Sequence, residues 1–362
     1  MFDSSNGNFD IQKSHINDKG YFVVTAGETN NGILGKSDVE ARIFEANTIT
    51  IDMFGFAFFR QFEYKMVTHA RVFSLKPKFK TTHKQGLFLA SLFKHLKTKF
   101  GYDNMCSWAK IKDDKIQLPI NKDGDIDFEF MESFIAELEA ERVAELEAYL
   151  AAASLKDYEL TAAELSALSK FENYNWGEFR IGDLFEKLSA KFLGKGDKFK
   201  AVSKIKTTEF FVPIVYCKFG DNGIMYWAKK NDFETYKNVI SIVYNGAIAA
   251  GKVYAQPHET GILAESYFIK FKNREIDFKV NLFFQCVLEK VLYPKYSRDY
   301  LATWDNKVEN DVISLPITDN DEIDFEFMNN FIKAIEKLVI KDVVLYADNK
   351  IKATKSIVSS NQ

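Results

Sequence analysis

Hydrophobic positions along the chain alternate between two regimes. Short runs rich in Phe, Ile, Val, Tyr and Thr, broken by Gly and Asn, occur at Thr48–Phe59, Val239–Tyr244 and Ser266–Phe271, and read as β-strands joined by tight turns. Gly86–Phe100 and Lys279–Val291 carry helical periodicity, so the pattern predicts α+β lobes. After each lobe comes a longer stripe at 3/4 spacing. The first stripe is Phe128, Met131, Ile135, Leu138, Leu146, Leu150 and Ala153, interrupted by Arg142. The second is Phe325, Met328, Ile332, Ile335 and Val339. Apolar residues at this spacing form the seam of a coiled coil. Asp125 or Asp127 can cap the first helix and Asp324 the second.

The chain repeats itself. Residues 115–139 read KIQLPINKDGDIDFEFMESFIAELE and residues 312–336 read VISLPITDNDEIDFEFMNNFIKAIE, identical at 13 of 25 positions. Weaker echoes precede them in the same order. Asn31-Gly32-Ile33 matches Asn222-Gly223-Ile224, and Ile49-Thr50-Ile51 ending at Gly55 matches Ile240-Ser241-Ile242 ending at Gly246. Leu87-Phe88 matches Leu282-Phe283, and Trp108 matches Trp304. Two copies of one lobe-plus-helix unit fit this order, a pseudo-twofold internal repeat whose two helices would most simply pair antiparallel. Segment boundaries are expected at 1–125 (first lobe), 126–172 (central helix), 173–322 (second lobe) and 323–362 (C-terminal helix and tail).

Composition is globular: 362 residues, 46% hydrophobic and 27% charged, with an unusual 34 Phe against 6 Pro. The formal net charge of −3 hides a segregation, because residues 126–172 alone carry −9. Glu137, Glu139, Glu141, Glu145 and Glu147 make one face of the first helix acidic. Two windows run the other way. Between 58 and 100 there are ten Lys/Arg and one acid, and between 187 and 230 ten Lys and three acids, interleaved with aromatics. Such windows suit a phosphate-facing surface. The three cysteines, Cys106, Cys217 and Cys286, are far apart, which argues against a disulfide framework and favours a reducing cytosol. Neither a signal peptide nor a transmembrane stretch is evident.

Several stretches together resemble a DNA specificity subunit of a restriction–modification system, of the type I or BcgI-like type IIB kind. Asn175-Trp176-Gly177-Glu178-Phe179-Arg180-Ile181-Gly182-Asp183-Leu184-Phe185 resembles the opening of a target-recognition domain. Thr25 through Ile33 resembles its early turn, and Gly246 through Val253 a later one. Glu139 through Leu150 resembles the spacer helix in its BcgI-like form. The resemblance implies two target-recognition domains, each reading half of a split, asymmetric DNA target, held by an antiparallel coiled coil. It implies docking of an N6-adenine methyltransferase subunit, alone or fused to a nuclease, and of a motor nuclease in the type I case. Chemistry using S-adenosylmethionine and Mg²⁺ would sit on those partners, leaving this chain non-catalytic and without a cofactor. One departure stands out. The first lobe has no counterpart of Trp176–Leu184, and Met1-Phe2-Asp3 starts about where Phe185 aligns, so either an N-terminal strand has been lost there or the start of the sequence is truncated.

The residues themselves offer little chemistry. No Pro-Pro dipeptide exists, which excludes the Asp/Asn-Pro-Pro-aromatic motif of adenine methyltransferases. Gly194-Lys195-Gly196-Asp197 is too short for a phosphate loop, and His15, His69, His83, His95 and His258 lack metal-ligand spacing. The alternative reading is an autonomous Mg²⁺-dependent endonuclease, in which Asp52, Glu63 and Lys65 have D…E-x-K spacing.

Arg and Lys read guanine and Asn and Gln read adenine in the major groove, while phosphate contacts position the protein. The candidates are Arg60, Gln61, Arg71, Lys76, Lys78 and Lys80 in the first lobe, and Lys218, Asn222, Lys229, Lys230 and Arg298 in the second. Seam and docking candidates are Met131, Ile135, Leu138, Met328, Ile332 and Ile335. Residues 126–152 as a helix span about 40 Å, close to one DNA turn of about 34–36 Å. Half-sites roughly one turn apart are therefore expected.

Overall fold

A computed structural model describes residues 1–190 and 202–360, with side chains as far as Lys352. The Gly194–Asp197 stretch and Lys191, Lys195, Lys198 and Lys200 of the second basic window lie outside the described residues. The chain forms two compact units: Met1–Tyr149 with the end of the C-terminal helix from Ala347, and Leu150–Tyr346.

The first unit contains β1 (Phe2–Asn6), β2 (Tyr21–Val24), β3 (Ile33–Ser37), β4 (Thr48–Ile51), β5 (Ala57–Arg60), β6 (Tyr64–Met66) and β7 (Phe73–Pro77), then α1 (His83–Ser91) and α2 (Trp108–Ile111). The helix α3 (Phe128–Ala152) begins in this unit. One sheet has the order β1-β7-β4-β5, all antiparallel; another has the order β3-β2-β6, with β2 and β6 parallel. β4 shows why this sequence makes a central strand. Its Thr-Ile alternation sends Ile49 and Ile51 into one apolar core, and Thr48 and Thr50 to the opposite face. There Thr48 Oγ1 lies 2.8 Å from the Tyr64 hydroxyl, which is also 2.7 Å from Ser74 Oγ.

The second unit contains α4 (Ala162–Lys170), β8 (Trp176–Arg180), α5 (Ile181–Leu184), β9 (Phe185–Lys187), β10 (Val202–Ser203), β11 (Val212–Val215), β12 (Ile224–Ala228), β13 (Val239–Val243), β14 (Val253–Gln256), β15 (Gly261–Ile262), β16 (Ser266–Phe271), α6 (Phe278–Lys295) and β17 (Val312–Pro316). It also contains most of α7 (Phe325–Ser360). Its sheets have the orders β9-β16-β13-β14 and β10-β12-β11-β15, with β11 and β15 parallel, plus the pair β17-β8. The first order matches that of the first unit step for step, and β12-β11-β15 matches β3-β2-β6, with β10 an added edge strand. The β2/β3 and β11/β12 pairs even break register at the same place, Val23/Val24 and Ile214/Val215.

Three expectations change at this level. Gly55 corresponds to Gly251, not Gly246. Gly55 (φ +83°) leaves only 2.6 Å between an added Cβ and the Leu96 carbonyl carbon, and Gly251 (φ +81°) leaves 2.6 Å to the Leu292 carbonyl oxygen. The connection at 243–252 is longer than that at 52–56, which displaces the sequence match. Second, residues 126–172 are not one helix. After Ala152 the chain turns through Ser154 at φ +56°, and α4 restarts with a reciprocal cap, Glu164 N–H to Thr161 Oγ1 (3.2 Å) and Thr161 N–H to Glu164 Oε2 (2.8 Å). Glu164 also pairs with Lys337 at 3.1 Å, which fastens α4 to α7. Third, part of the presumed coiled-coil seam belongs to the lobes. Met131 is buried in the core under β4 and β7, and Met328 in the core under β13 and β16, with Ile332 packed beside it. Each Met lies one turn into a helix whose start is capped by Asp127 or Asp324, and it points back onto its own lobe. Ile135 is buried, whereas Leu138 and Ile335 are each 39% exposed. Among the described residues no helix is long and apolar enough to cross a membrane.

The contact between β5 and α1 is tight. A Cβ on Gly86 would lie 2.1 Å from the Phe59 ring. At the matching contact of the second unit the bulk is exchanged, with Ala255 on the strand and Asn281 on the helix. Gly86→Ala should therefore destabilise the first lobe by about 1–3 kcal/mol through overpacking. Phe59→Ala, itself destabilising, should make Gly86→Ala nearly neutral in a double-mutant cycle of urea melts. Additive losses would refute the collision.

Candidate nucleic-acid interface

In each lobe an Asn-Gly turn leads into a matching strand, β3 in the first lobe and β12 in the second. Asn30 and Asn31 adopt φ of +50° and +52°, and Asp221 and Asn222 adopt +45° and +54°. Short polar side chains tolerate this left-handed region best. A buried side chain ties each turn to the sheet behind it. In the first lobe Arg60, 2% exposed, donates from Nε to Thr50 Oγ1 (2.9 Å) and from Nη2 to the Asn31 carbonyl (2.7 Å). In the second lobe Gln256 Nε2 donates to Ser241 Oγ (3.0 Å) and to the Asn222 carbonyl (3.0 Å). The same strand position thus carries the same clamp in different chemistry. Desolvation lowers the Arg60 guanidinium to about 10, so it stays charged at neutral pH.

This overturns two candidate DNA readers. Arg60 is spent on the clamp and has no route to a base edge. Asn222 is also engaged, its Nδ2 donating to the Ala255 carbonyl (3.0 Å) and to Gln256 Oε1 (3.2 Å). The nuclease triad is likewise not assembled. Asp52 is buried and accepts N–H bonds from Gly27 (2.7 Å), Phe54 (2.9 Å) and Phe56 (3.0 Å), with burial raising its pKa against them. Lys65 is buried and donates to the carbonyls of Ser37 and Val39, while Glu63 faces solvent. Among the described residues no three His, Cys, Asp or Glu side chains are grouped to hold a metal ion.

The other candidates remain at the surface. Lys76 pairs with Glu45 (2.5 Å) and Lys78 with Asp3 (3.1 Å); Gln61 and Lys80 are exposed. Lys218 pairs with Asp221 (2.5 Å). Lys229 pairs with Glu209 (2.5 Å) and sits 5.1 Å from the Phe210 ring centre. Lys230 and Arg298 are exposed, with no ion pair among the described residues. Sequence reasoning missed Lys206, which lies 5.2 Å from the Trp227 ring centre in a cation–π arrangement.

It also missed a groove that occurs at the same place in both lobes. In the first it lies between the end of β1, the start of β7 and the segment before α2, with a volume of about 710 Å³. Arg71, Tyr102, Trp108 and Lys110 line it. In the second it lies between the end of β9, the start of β16 and Trp304, with about 460 Å³, lined by Lys187, Tyr244, Tyr267 and Asp305 among others. The Trp108/Trp304 match signalled it, but nothing in the sequence said that either Trp faces a groove. Arg71 is exposed and held at φ +49° by a turn closed by its N–H to the Thr68 carbonyl (3.0 Å). Asp10 pins that turn through Thr68 Oγ1 and the His69 N–H, each at 3.1 Å, and its bond to the His69 ring holds the carboxyl below its usual range. Cys106 lines the same groove, but burial pushes its thiol up to about 12, so it is not a nucleophile.

The model of the type I restriction modification DNA specificity domain matches residues 1–148 and again residues 173–345. The chain belongs to this family. It is a specificity subunit of a restriction–modification system. It is 22% identical over 336 residues to the specificity subunit S.BcgI of a type II restriction enzyme of Heyndrickxia coagulans, across 91% of this chain and 90% of that protein. The crystal structure of the S subunit of a type I restriction–modification system from M. genitalium is similar with a TM-score of 0.58 at 16% identity, across 99% of this chain and 92% of that one. That likeness bears on the fold: two lobes of mixed α and β structure with long helices.

Removing the clamp should cost stability, not specificity. Arg60→Ala is expected to lower the stability of the first lobe by roughly 2–4 kcal/mol, since it leaves the Asn31 carbonyl and Thr50 hydroxyl unpaired inside. Arg60→Gln, the residue type the second lobe uses, should recover part of that. A variant that keeps its urea midpoint but changes its DNA target would contradict this assignment.

Proposed function

We propose that each lobe of this specificity subunit reads one half of a split, asymmetric DNA target, and that catalysis is supplied by partner subunits. The observation that carries this reading is the shared frame with unlike lining. Both lobes share one strand order, apart from the added edge strand β10, and one groove position, yet Arg71, Tyr102 and Lys110 occupy the first groove and Lys187, Tyr244 and Asp305 the second. Two equivalent readers with different donors and acceptors recognise different half-sites.

In this reading α3 and α7 pair antiparallel as a coiled coil, in a pseudo-twofold arrangement of the two halves. What supports it is the 3/4 spacing of Ile135, Leu138, Leu146 and Leu150 on α3 and of Met328, Ile332, Ile335 and Val339 on α7. With 25 residues, α3 spans about 37 Å, which would set half-site centres roughly one duplex turn apart. Ile335, Leu338, Val339 and Val343 leave an exposed apolar ridge on α7 suited to docking an N6-adenine methyltransferase subunit. That partner would bind S-adenosylmethionine, Mg²⁺ would serve a nuclease partner, and this chain would hold neither. A cytoplasmic location fits such a complex.

Methylome sequencing of cells carrying the chain with its methyltransferase tests the target. The expected motif is two unlike half-sites separated by unspecified bases; a palindrome or a continuous motif would overturn the reading. Lys80→Ala and Arg71→Ala test the surface. A residue that contacts one phosphate should weaken binding to all sequences and reduce the slope of log K against log[salt] by about 0.9. Salt titrations of fluorescence anisotropy, with the methyltransferase present, would show this. An unchanged slope in both variants would place the contact surface elsewhere.

A further inference from the structure

In a sheet with one face on the core, outward positions are normally polar. The smaller sheet of the second lobe departs from this. On β12, Tyr226 and Ala228 turn inward and join Ile214 of β11 and Leu263 in a small apolar core. Alternation therefore sends Met225 and Trp227 outward. Met225 is 38% exposed, and Trp227 is half-buried between its register partners, Ser203 of β10 and Pro213 of β11. Lys206 places its ammonium 5.2 Å from the Trp227 ring centre. Exposed Ile205 and Phe211 flank the same strands.

The first lobe keeps the arrangement with other side chains. The register of β2 on β3 equals that of β11 on β12, including its break. Leu34 therefore stands at the place of Met225, Lys36 at that of Trp227 and Phe22 at that of Pro213. Leu34 is 36% exposed. Lys36 places its ammonium 4.9 Å from the Phe22 ring centre, again a cation against an aromatic on this face. Each strand pair ends in the turn that Arg60 or Gln256 clamps, so that end is fixed to the larger sheet.

Resting on the reading that each lobe recognises half of a DNA target, we propose that this outward face lies in the major groove, where Met225 and Leu34 meet thymine methyl groups in their respective half-sites. β-Sheet readers place strands in that groove, and apolar side chains there recognise the thymine methyl. The charge around the face of the second lobe favours DNA over a protein. Lys204, Lys206 and Lys230 are exposed with no ion pair among the described residues. The acids of residues 202–230, Glu209 and Asp221, are each paired with a lysine. Lysine is depleted from protein–protein interfaces but suits phosphates. Because the lobes differ at all three outward places, the face adds to the difference between half-sites.

The test uses the full chain with its methyltransferase. In methylome sequencing, Met225→Gln is expected to change the bases specified in one half-site and Leu34→Gln those in the other. Each variant should leave the companion half-site intact, which serves as an internal check of folding. On oligonucleotides, replacing the thymines of either half-site by uracil should weaken wild-type binding about fourfold, the worth of one buried methyl group, and should leave the matching Gln variant unaffected. Unchanged half-sites in both variants, or one variant altering both half-sites, would overturn the proposal while the split target stands. Undiminished binding of the wild-type chain to either uracil target would overturn it even where the variants do not fold. A wild-type motif that is not split would overturn the underlying reading and this proposal with it.

Discussion

A methionine with no exposed surface anchors each long helix in the lobe that precedes it: Met131 in the first and Met328 in the second. An Asp cap one turn earlier fixes the backbone at the helix start, and the Met side chain fixes the helix's rotation about its own axis. With cap and anchor both set, the phase of every later residue on the helix is determined. Ile135 is buried and Leu138 exposed as a consequence of that phase, not of their hydrophobicity. The Asp-Phe-Glu-Phe-Met motif recurs because it encodes this joint. Cap, aromatic flank and anchor must sit at fixed spacing for a helix to leave a sheet in one direction only.

The same economy governs the lobes. A turn with two residues at positive φ is a soft element, and both lobes stiffen it by reaching across from a neighbouring strand to a turn carbonyl. What is kept is a donor of the right length at the right strand position. Whether it is a guanidinium or an amide is free to vary, and it has varied. Burying an Arg with no carboxylate bonded to it is costly, and desolvation lowers the pKa of Arg60 although Asp52 nearby opposes that. Bonds to charged donors are also stronger than neutral ones, which offsets part of the cost.

These two cases mark what the sequence could and could not show. The joint was legible because its residues are kept in identity and spacing across the two copies. The clamp was not, because Arg60 and Gln256 share only a position, and an isolated Arg in a basic window looks like a DNA contact. Gly55 was paired with Gly246 because a longer connection shifts the true partner, Gly251; only the close approach to Leu96 and Leu292 reveals it. The break between α3 and α4 was hidden by Leu, Ala and Glu residues that suit a helix on both sides of the turn at Ser154. The grooves were illegible for a different reason. Their walls come from three separated segments of chain, and periodicity carries no information about that meeting. Phe130 and Phe134 repeat Phe327 and Phe331 in the sequence, but only the fold shows that they are half-exposed.

The basic window at 58–100 illustrates how little a charge count says about recognition until each cation is sorted by what would release it. Arg60 and Lys65 are buried and tied to carbonyls or hydroxyls, so bringing either to a phosphate means opening the lobe. Lys76, Lys78 and Lys99 are paired with exposed or half-exposed carboxylates. Surface pairs of this kind are worth about 0–1 kcal/mol, so a phosphate can displace the carboxylate at little cost. Arg71, Lys80, Lys84, Lys94 and Lys97 have no ion pair among the described residues, and of these only Arg71 is held by its backbone at the lip of a groove. A flexible lysine suits a phosphate, whose position varies little with sequence. The guanidinium of Arg71, exposed at a groove, has the donors for either a phosphate or a guanine edge. The number of charges in the window therefore overstates how many cations a phosphate could reach without opening the lobe.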